Sequence, residues 1–426
     1  MNFYPHQTRC LEQTANRNRV AYYLDMGLGK TFIGAEKMKR FGTAVNLIVC
    51  QKSKVDDWVN HLVDNNYEHH FRMIYDCTKW NKGDWEAFGQ TANEPCMLIV
   101  NYDLIFRRKQ FLNLDKFTLM LDESSLIQND TAKRTKFILK LNPSNVILLS
   151  GTPTAGKYEN LWSQINLLGW EISEKAFNRQ YINWTTIDVE GFPKKVVDKA
   201  NPYKNVERMK RKMREHGAVF IKTEEVVDLP QQNIVEIHVS TTREYKRFQK
   251  TSLVTVQGQE LVGDSILSKR LYSRMLCGHF NADKLNALRE LCESTNDRLI
   301  VFYNYDAELE ALRQICAEID RPVSEVNGHT KDLTAYESDE DSITLVQYKA
   351  GAMGLNLQKA NKVIYFTPTE EAELWQQSMK RIHRIGQTRP CFYYLLLCAN
   401  SIETEEIIPT LGIRKDYTDE LFKEKQ

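Results

Sequence analysis

Two parallel α/β sheets, one in each half of the chain and separated by a mostly helical middle stretch, are the fold that the sequence predicts. Three observations carry this reading. Short apolar runs without polar alternation recur along the 426 residues, as strands covered on both faces require. Helical patterns lie between the runs, and a helical crossover joins neighbouring strands in parallel. The set occurs twice, in a chain too long for one compact core.

The first set of strands is expected at Val20–Leu24, Leu47–Cys50, Met97–Val100, Leu119–Leu121 and Val146–Leu149. The second is expected at Leu299–Phe302, Ile343–Val346, Val363–Phe366 and Phe392–Leu397. Residues 157–290 are polar, aromatic and mostly helical in pattern, punctuated by Leu229-Pro230 and Gly258. This division predicts a first lobe over residues 1–225, carrying a helical protrusion, and a second lobe over residues 226–426. Nearly every unusual polar cluster stands just after one of these strands. Ligands of open parallel sheets bind outside the carboxyl ends of the strands, so the two lobes are expected to share one cleft.

Composition narrows the classes. Apolar residues make up 42% and charged residues 27%, ordinary values for a globular protein. No opening apolar segment with a cleavage site and no apolar run long enough to span a bilayer is found. A membrane role is therefore not expected, and the location implied is the cytoplasm, or the nucleus in a eukaryotic source. The nine cysteines include no CxxC pair, which argues against zinc and for buried reduced thiols. A net charge of +1 does not announce a nucleic-acid binder. The run Arg208, Lys210, Arg211, Lys212, Arg214 suits a solvated helix face as well as a binding surface.

After Val20–Leu24 comes Asp25-Met26-Gly27-Leu28-Gly29-Lys30-Thr31, followed by an amphipathic helix to about Arg40. Two glycines let the backbone bend tightly and aim N–H groups at phosphate oxygens, and the helix start adds a dipole that favours anions. Lys30 is placed for the β- and γ-phosphates and Thr31 for Mg²⁺. Leu24 stands where the full phosphate-loop pattern has glycine, and by itself the segment also suits an ordinary glycine-rich strand–helix turn. A second element adds weight: Leu119–Leu121 runs into Asp122-Glu123-Ser124-Ser125. Adjacent carboxylates at a buried strand end need a cation. Mg²⁺ on Asp122, with Glu123 polarising the attacking water, supplies that chemistry. A surface turn is the plainer alternative.

Near the end stands Trp375-Gln376-Gln377-Ser378-Met379-Lys380-Arg381-Ile382-His383-Arg384-Ile385-Gly386-Gln387. Read as a helix, Trp375, Met379 and Ile382 share one face, and Gln377, Arg381 and Arg384 share the other. Two guanidiniums presented together suit a γ-phosphate whose charge grows in a transition state. A solvated basic face is the alternative for an RxxR pair.

In this order, these elements resemble the superfamily 2 helicases, and more closely the Swi/Snf-type DNA-dependent ATPases of the short bacterial or viral kind. The segments Asp25–Thr31 and Arg381–Gln387 carry the resemblance, which extends over most of the chain. It implies two RecA-like lobes, ATP and Mg²⁺ as cofactors, and Lys30, Asp122, Glu123, Arg381 and Arg384 as catalytic residues. Tyr4-Pro5-His6-Gln7 resembles the glutamine motif that reads adenine. Nucleotide contacts are implied for Gln7, Gly27, Gly29, Lys30, Thr31, Gly354 and Gln377, and metal contacts for Thr31 and Asp122.

Further segments resemble the family's DNA-contacting and coupling motifs. They are Cys50-Gln51-Lys52-Ser53 with Trp58, Asn101-Tyr102-Asp103, Ser150-Gly151-Thr152-Pro153, Phe302-Tyr303-Asn304 and Lys349–Leu357. DNA contacts are thereby implied for Lys52, Ser53, Trp58, Asn101, Tyr102, Thr152, Tyr303, Asn304, Lys349 and Gly351. Leu161-Trp162 and Ser401-Ile402-Glu403 also resemble family elements. The pattern departs at Ser125, where relatives carry histidine, at Thr367–Glu371, where a DNA-facing tryptophan is absent, and at Phe220–Thr223. The expectation is an ATP-driven translocase, acting as a monomer on duplex DNA without sequence preference. A strand-separating helicase is the alternative, and no wedge element is visible in the sequence.

Overall fold

The computed structural model describes residues 3–91, 94–189, 191–351 and 355–423. Two compact units emerge: Met1–Val226 together with the closing stretch from Tyr417, and Val227–Asp416. That closing stretch, read with the second lobe in the sequence, groups with the first.

Six strands open the first unit: β1 (Arg19–Leu24), β2 (Val45–Cys50), β3 (Met73–Asp76), β4 (Cys96–Asn101), β5 (Thr118–Asp122) and β6 (Asn145–Ser150). A protruding pair follows, β7 (Trp184–Val189) and β8 (Phe192–Val197), and then β9 (Ala218–Ile221). The sheet order is β3-β4-β2-β5-β6-β1-β9, and every pairing in it is parallel. β2 and β4 are buried at every residue. Val45, Leu47, Val49, Leu98 and Val100 join the main core on one face, and Ile48 and Ile99 on the other face are equally covered, which is why these runs lack polar alternation.

The second unit holds β10 (Gln232–Val239), the hairpin β11 (Leu253–Val256) and β12 (Gln259–Val262), β13 (Leu299–Tyr303), β14 (Val323–Val326), β15 (Lys331–Asp332), β16 (Ile343–Gln347), β17 (Lys362–Tyr365) and β18 (Cys391–Cys398). Its sheet runs β10-β18-β17-β13-β16-β14-β15, parallel except at the β14–β15 edge. Both sheets are the RecA-like α/β lobes expected. The middle stretch carries the expected helices and also strands: β9 and β10 extend the edges of the two sheets. Among the described residues, no helix is long and apolar enough to cross a membrane.

Parallel pairing sends every strand of a sheet the same way. The first unit's carboxyl edge therefore gathers Asp25, Lys52-Ser53, Asn101-Tyr102, Asp122-Glu123 and Ser150–Pro153 from five different strand ends. In the second unit the β18 end is fixed by a buried ion pair. Lys284 Nζ lies 2.7 and 2.8 Å from the two Glu403 carboxylate oxygens, and the Cys398 backbone N–H donates to Glu403 Oε2 at 2.8 Å. Both side chains are essentially inaccessible.

Lys284→Met should therefore strand the Glu403 carboxylate in the interior and destabilise the protein by about 3–5 kcal/mol. Urea unfolding of the second unit measures this. A loss under about 1 kcal/mol would show that water reaches the pair.

Candidate functional site

At the end of β1 the chain turns through two left-handed glycines, Gly27 at φ 85° and Gly29 at φ 75°. Neither conformation suits a side chain. At Gly29 space also forbids one, because a Cβ there would stand 2.2 Å from Gln7 Nε2. The helix Lys30–Phe41 starts immediately after, so its first N–H groups face the turn. Lys30 Nζ folds back onto the turn's own carbonyls, 2.9 Å from Leu24 O and 3.4 Å from Asp25 O. Thr31 lies in the first helical turn beside it.

This loop is braced from both sides. Gln7 donates to Leu28 O at 3.3 Å and accepts from the Tyr4 backbone N–H at 3.0 Å. Asp25 Oδ2 accepts from the backbone N–H and hydroxyl of Thr223 at 3.2 and 3.1 Å, and Lys222 Nζ stands 3.8 Å from Asp25 Oδ1.

β5 delivers the acidic pair to the same edge. Burial pushes the Asp122 carboxyl above its ordinary range, while the Trp58 hydrogen bond and the charges of Lys54 and Lys30 pull it back. The indole N–H of Trp58 donates to Asp122 Oδ2 at 2.8 Å. Tyr102 donates its hydroxyl to Asp122 O at 2.9 Å and to Glu123 O at 3.4 Å. Glu123 takes φ 50°, an uncommon conformation for a non-glycine residue that turns the chain sharply at the strand end. A half-buried carboxylate, with a hydroxyl-bearing residue in the first turn of the helix Lys30–Phe41, suits a hard divalent cation such as Mg²⁺. Asp122 and Thr31 would hold it.

One residue that sequence reasoning missed ties these pieces together. Gln164, fully buried on the helix Trp162–Leu167, accepts from Ser124 Oγ at 2.8 Å and from the Tyr23 hydroxyl at 3.1 Å. Its Nε2 donates to Pro153 O at 2.7 Å. The available signal was an amide at a core position two residues after Leu161-Trp162.

Several expected DNA contacts stand elsewhere. Trp58 is 2% exposed, and its polar atom is spent on Asp122, so it is a support of the acidic pair and not a DNA-facing ring. Tyr102, also 2% exposed, props the same turn from beneath. Asn101 is buried and caps the helix Tyr102–Ile105 by accepting from the Asp103 and Leu104 N–H groups. Tyr303 lies wholly inside the second core. Asn304 donates to Thr367 Oγ1 at 2.8 Å. Thr152 is buried as well, its hydroxyl without a hydrogen-bond partner. Aromatic and amide side chains at strand ends are drawn into the packing below the edge. Lys52, Ser53 and Lys349 remain exposed. Gly351 closes the helix Tyr348–Gly351, and Gly354 lies outside the described residues.

In the second unit the helix expected to carry both arginines runs only over Ala372–Met379. Trp375 and Met379 pack into the core as expected, and Gln377 is buried, donating to Glu373 at 3.3 Å. Arg381 and Arg384 follow in irregular turns. The cause is a competing set of side-chain hydrogen bonds. Gln387 donates to the carbonyls of Gln358, Ala360 and Ile382 and accepts from the Thr388 and Arg389 N–H groups. Gly386 turns left-handed at φ 99°. The two guanidiniums still converge: Arg381 and Arg384 both reach Leu355 O, at 3.5 and 3.4 Å. A shared carbonyl brings them together, where a common helix face was expected.

Trp58→Phe keeps the ring and removes the donor to a buried charged acceptor, and should cost about 1.5–3 kcal/mol of stability in urea. Unchanged stability would return Trp58 to the role of an exposed contact.

With this geometry in view, two domain families match the chain. The SNF2-related domain covers residues 13–296, and the helicase conserved C-terminal domain covers residues 283–386. The mouse SWI/SNF-related matrix-associated actin-dependent regulator of chromatin subfamily A member 1 is 22% identical over 437 aligned residues, covering 92% of this chain and 40% of that protein. The Drosophila melanogaster subfamily A-like protein 1 is 23% identical, over 94% of this chain and 54% of its own length. The Arabidopsis thaliana ATP-dependent DNA helicase DDM1 is 23% identical, over 67% and 43%. The chain thus spans only about half of these relatives or less. The solved Sulfolobus solfataricus SWI2/SNF2 ATPase core in complex with dsDNA aligns over 98% of this chain and 92% of its own, at 20% identity and a TM-score of 0.44. Since the SNF2-related domain alone matches more than half of its residues, the chain belongs to the SNF2-related family of helicase-like ATPases.

Proposed function

We propose that the chain hydrolyses ATP and uses the energy to move along duplex DNA without reading its sequence. The observation that carries this reading is the first unit's carboxyl edge, which carries a left-handed glycine loop, a lysine on that loop's carbonyls and a half-buried carboxylate. Lys30 and the helix N-terminus hold the β- and γ-phosphates in this reading, and Gln7 stands beside the loop for the base. Mg²⁺, held by Thr31 and Asp122, would neutralise charge on the phosphates. Glu123, its backbone turned out of the strand, orients the attacking water. Arg381 and Arg384 stabilise the charge that grows on the γ-phosphate. The exposed Lys52, Ser53 and Lys349 contact DNA phosphates, which fix position and carry no sequence information.

The direct test is the ATPase rate with no nucleic acid, duplex DNA, single-stranded DNA and RNA. Duplex DNA of any sequence should stimulate strongly. Because the contacts proposed are to phosphates, stimulation at limiting DNA should fall steeply as salt rises from about 50 to 200 mM. Stimulation by one sequence only, or by RNA alone, would overturn the reading.

Arg384→Ala should lower turnover by roughly a thousandfold or more while leaving ATP affinity close to wild type, because the interaction is made mainly in the transition state. Arg381 shares the same carbonyl, so the two groups act as a unit. The double mutant should be little worse than either single one. Loss of ATP binding with normal turnover at saturation would contradict these roles.

A further inference from the structure

The β7–β8 hairpin belongs to none of the motifs above. Its strands pair with each other antiparallel, from Trp184↔Val197 to Val189↔Phe192, and with no other strand among the described residues. Two strands alone are marginal in water, and the apolar side chains here do not serve the core: Phe192 is 76% exposed, Ile187 44% and Trp184 36%. The base is nonetheless firmly held. The backbone N–H and side-chain amide of Asn183 donate to Pro202 O and Asn201 O, both at 2.8 Å, and Ile182 bridges to Tyr203. A rigid base carrying exposed rings has the form of a contact element.

One face of the hairpin opens on a cavity of about 870 Å³. Alternation along the strands puts Trp184 and Lys195 on that face, with Lys195 Nζ 5.1 Å from the indole centroid. Lys175, Arg179 and Lys204 complete a set of four cations around the cavity. Its two carboxylates, Glu174 and Asp198, leave the balance positive, and among the described residues none of the four cations forms an ion pair. Uncommitted cations around an exposed aromatic face suit a polyanion that also presents flat rings. Duplex DNA hides its bases in the stack, whereas an unpaired strand offers phosphates and bases together.

We propose that this cavity binds an unpaired nucleic-acid strand, stacking a base on Trp184 and seating phosphates on Lys175, Arg179, Lys195 and Lys204. The proposal rests on the reading that the chain works on nucleic acid, and it adds a contact outside the family motifs. Phe192, on the opposite face at the hairpin tip, is not part of it.

The test is fluorescence anisotropy of a labelled oligothymidylate at several salt concentrations, run beside the ATPase assay. Trp184→Ala should weaken binding about tenfold with an unchanged salt slope, since it removes stacking. Trp184→Phe should restore most of the affinity. The surface variant Lys195→Glu/Lys204→Glu, which gives up the Lys195 contact with the Trp184 ring but no buried side chain, should weaken binding and flatten the salt slope by roughly one to two. Phe192→Ala should bind as wild type. Equal affinity of wild type and Trp184→Ala, or displacement of the oligothymidylate by polyglutamate as readily as by unlabelled strand, overturns the site. A wild-type ATPase indifferent to every nucleic acid instead overturns the motor reading, and Trp184-dependent strand binding by such a chain would leave this site standing.

Discussion

Asp122 ends a strand whose other residues are wholly covered, so its carboxylate has lost most of its water and must be met by donors or cations. Much of the first unit's edge follows from that need. Trp58 turns inward to give Oδ2 a hydrogen bond, and Tyr102 holds the backbone carbonyl that follows. The positive charges of Lys54 and of Lys30, the latter anchored on the glycine turn two strands away, lower the carboxyl's proton affinity. A carboxyl raised by burial and only partly offset by one donor and nearby cations has room for a cation beside it. The second unit presents the complementary problem. Arg381 is 4% exposed and shares the Leu355 carbonyl with Arg384. Two guanidiniums on one carbonyl place positive charge close together in a largely buried setting, where an anion would be favoured.

Strain is placed where these charges are used. A side chain on Gly29 would have to displace the Gln7 amide, so the helix carrying Gln7 packs closely on the glycine turn. Glu123 keeps a left-handed backbone although it is not glycine. Such a conformation persists only when its surroundings impose it. The hydrogen bonds of Tyr102 to both flanking carbonyls and of Ser124 to Gln164 do so.

How much was legible in the sequence follows from burial. Strands covered on both faces read as continuous apolar runs, and β1, β2, β4, β5, β6, β13, β16, β17 and β18 stand where those runs placed them. Of the missed strands, β3 and β10 are sheet edges and β14 lies next to one, and all three are partly open to solvent, so they keep polar residues and lose the signal; β9, an edge strand that is nearly covered, is missed for its shortness. The polar ends of the strands were also legible, because Gly27, Gly29, Lys30, Asp122 and Glu123 have no packing reason to cluster. Side-chain direction was not. Trp58, Tyr102 and Tyr303 sit in motif positions, yet each is pulled under the edge by the apolar area it buries. The arginine helix was misread for a related reason. The spacing of Trp375, Met379 and Ile382 satisfies a helix, but five hydrogen bonds from one amide, Gln387, hold a tighter irregular turn. No periodicity records a side chain bonding to backbone.

Gln164 shows how a departure in one motif is absorbed by another residue. Ser125, where the sequence departs from the motif it resembles, is fully buried. The tie from the acidic turn runs instead through the adjacent Ser124 to the Gln164 amide, and from there to the carbonyl of Pro153. An amide suits this place because it accepts on one end and donates on the other. A carboxylate would lose the bond to Pro153, and an apolar residue would strand the buried hydroxyls of Ser124 and Tyr23. The acidic turn and the segment Ser150–Pro153 are therefore joined inside the first unit by two buried hydrogen bonds on one amide.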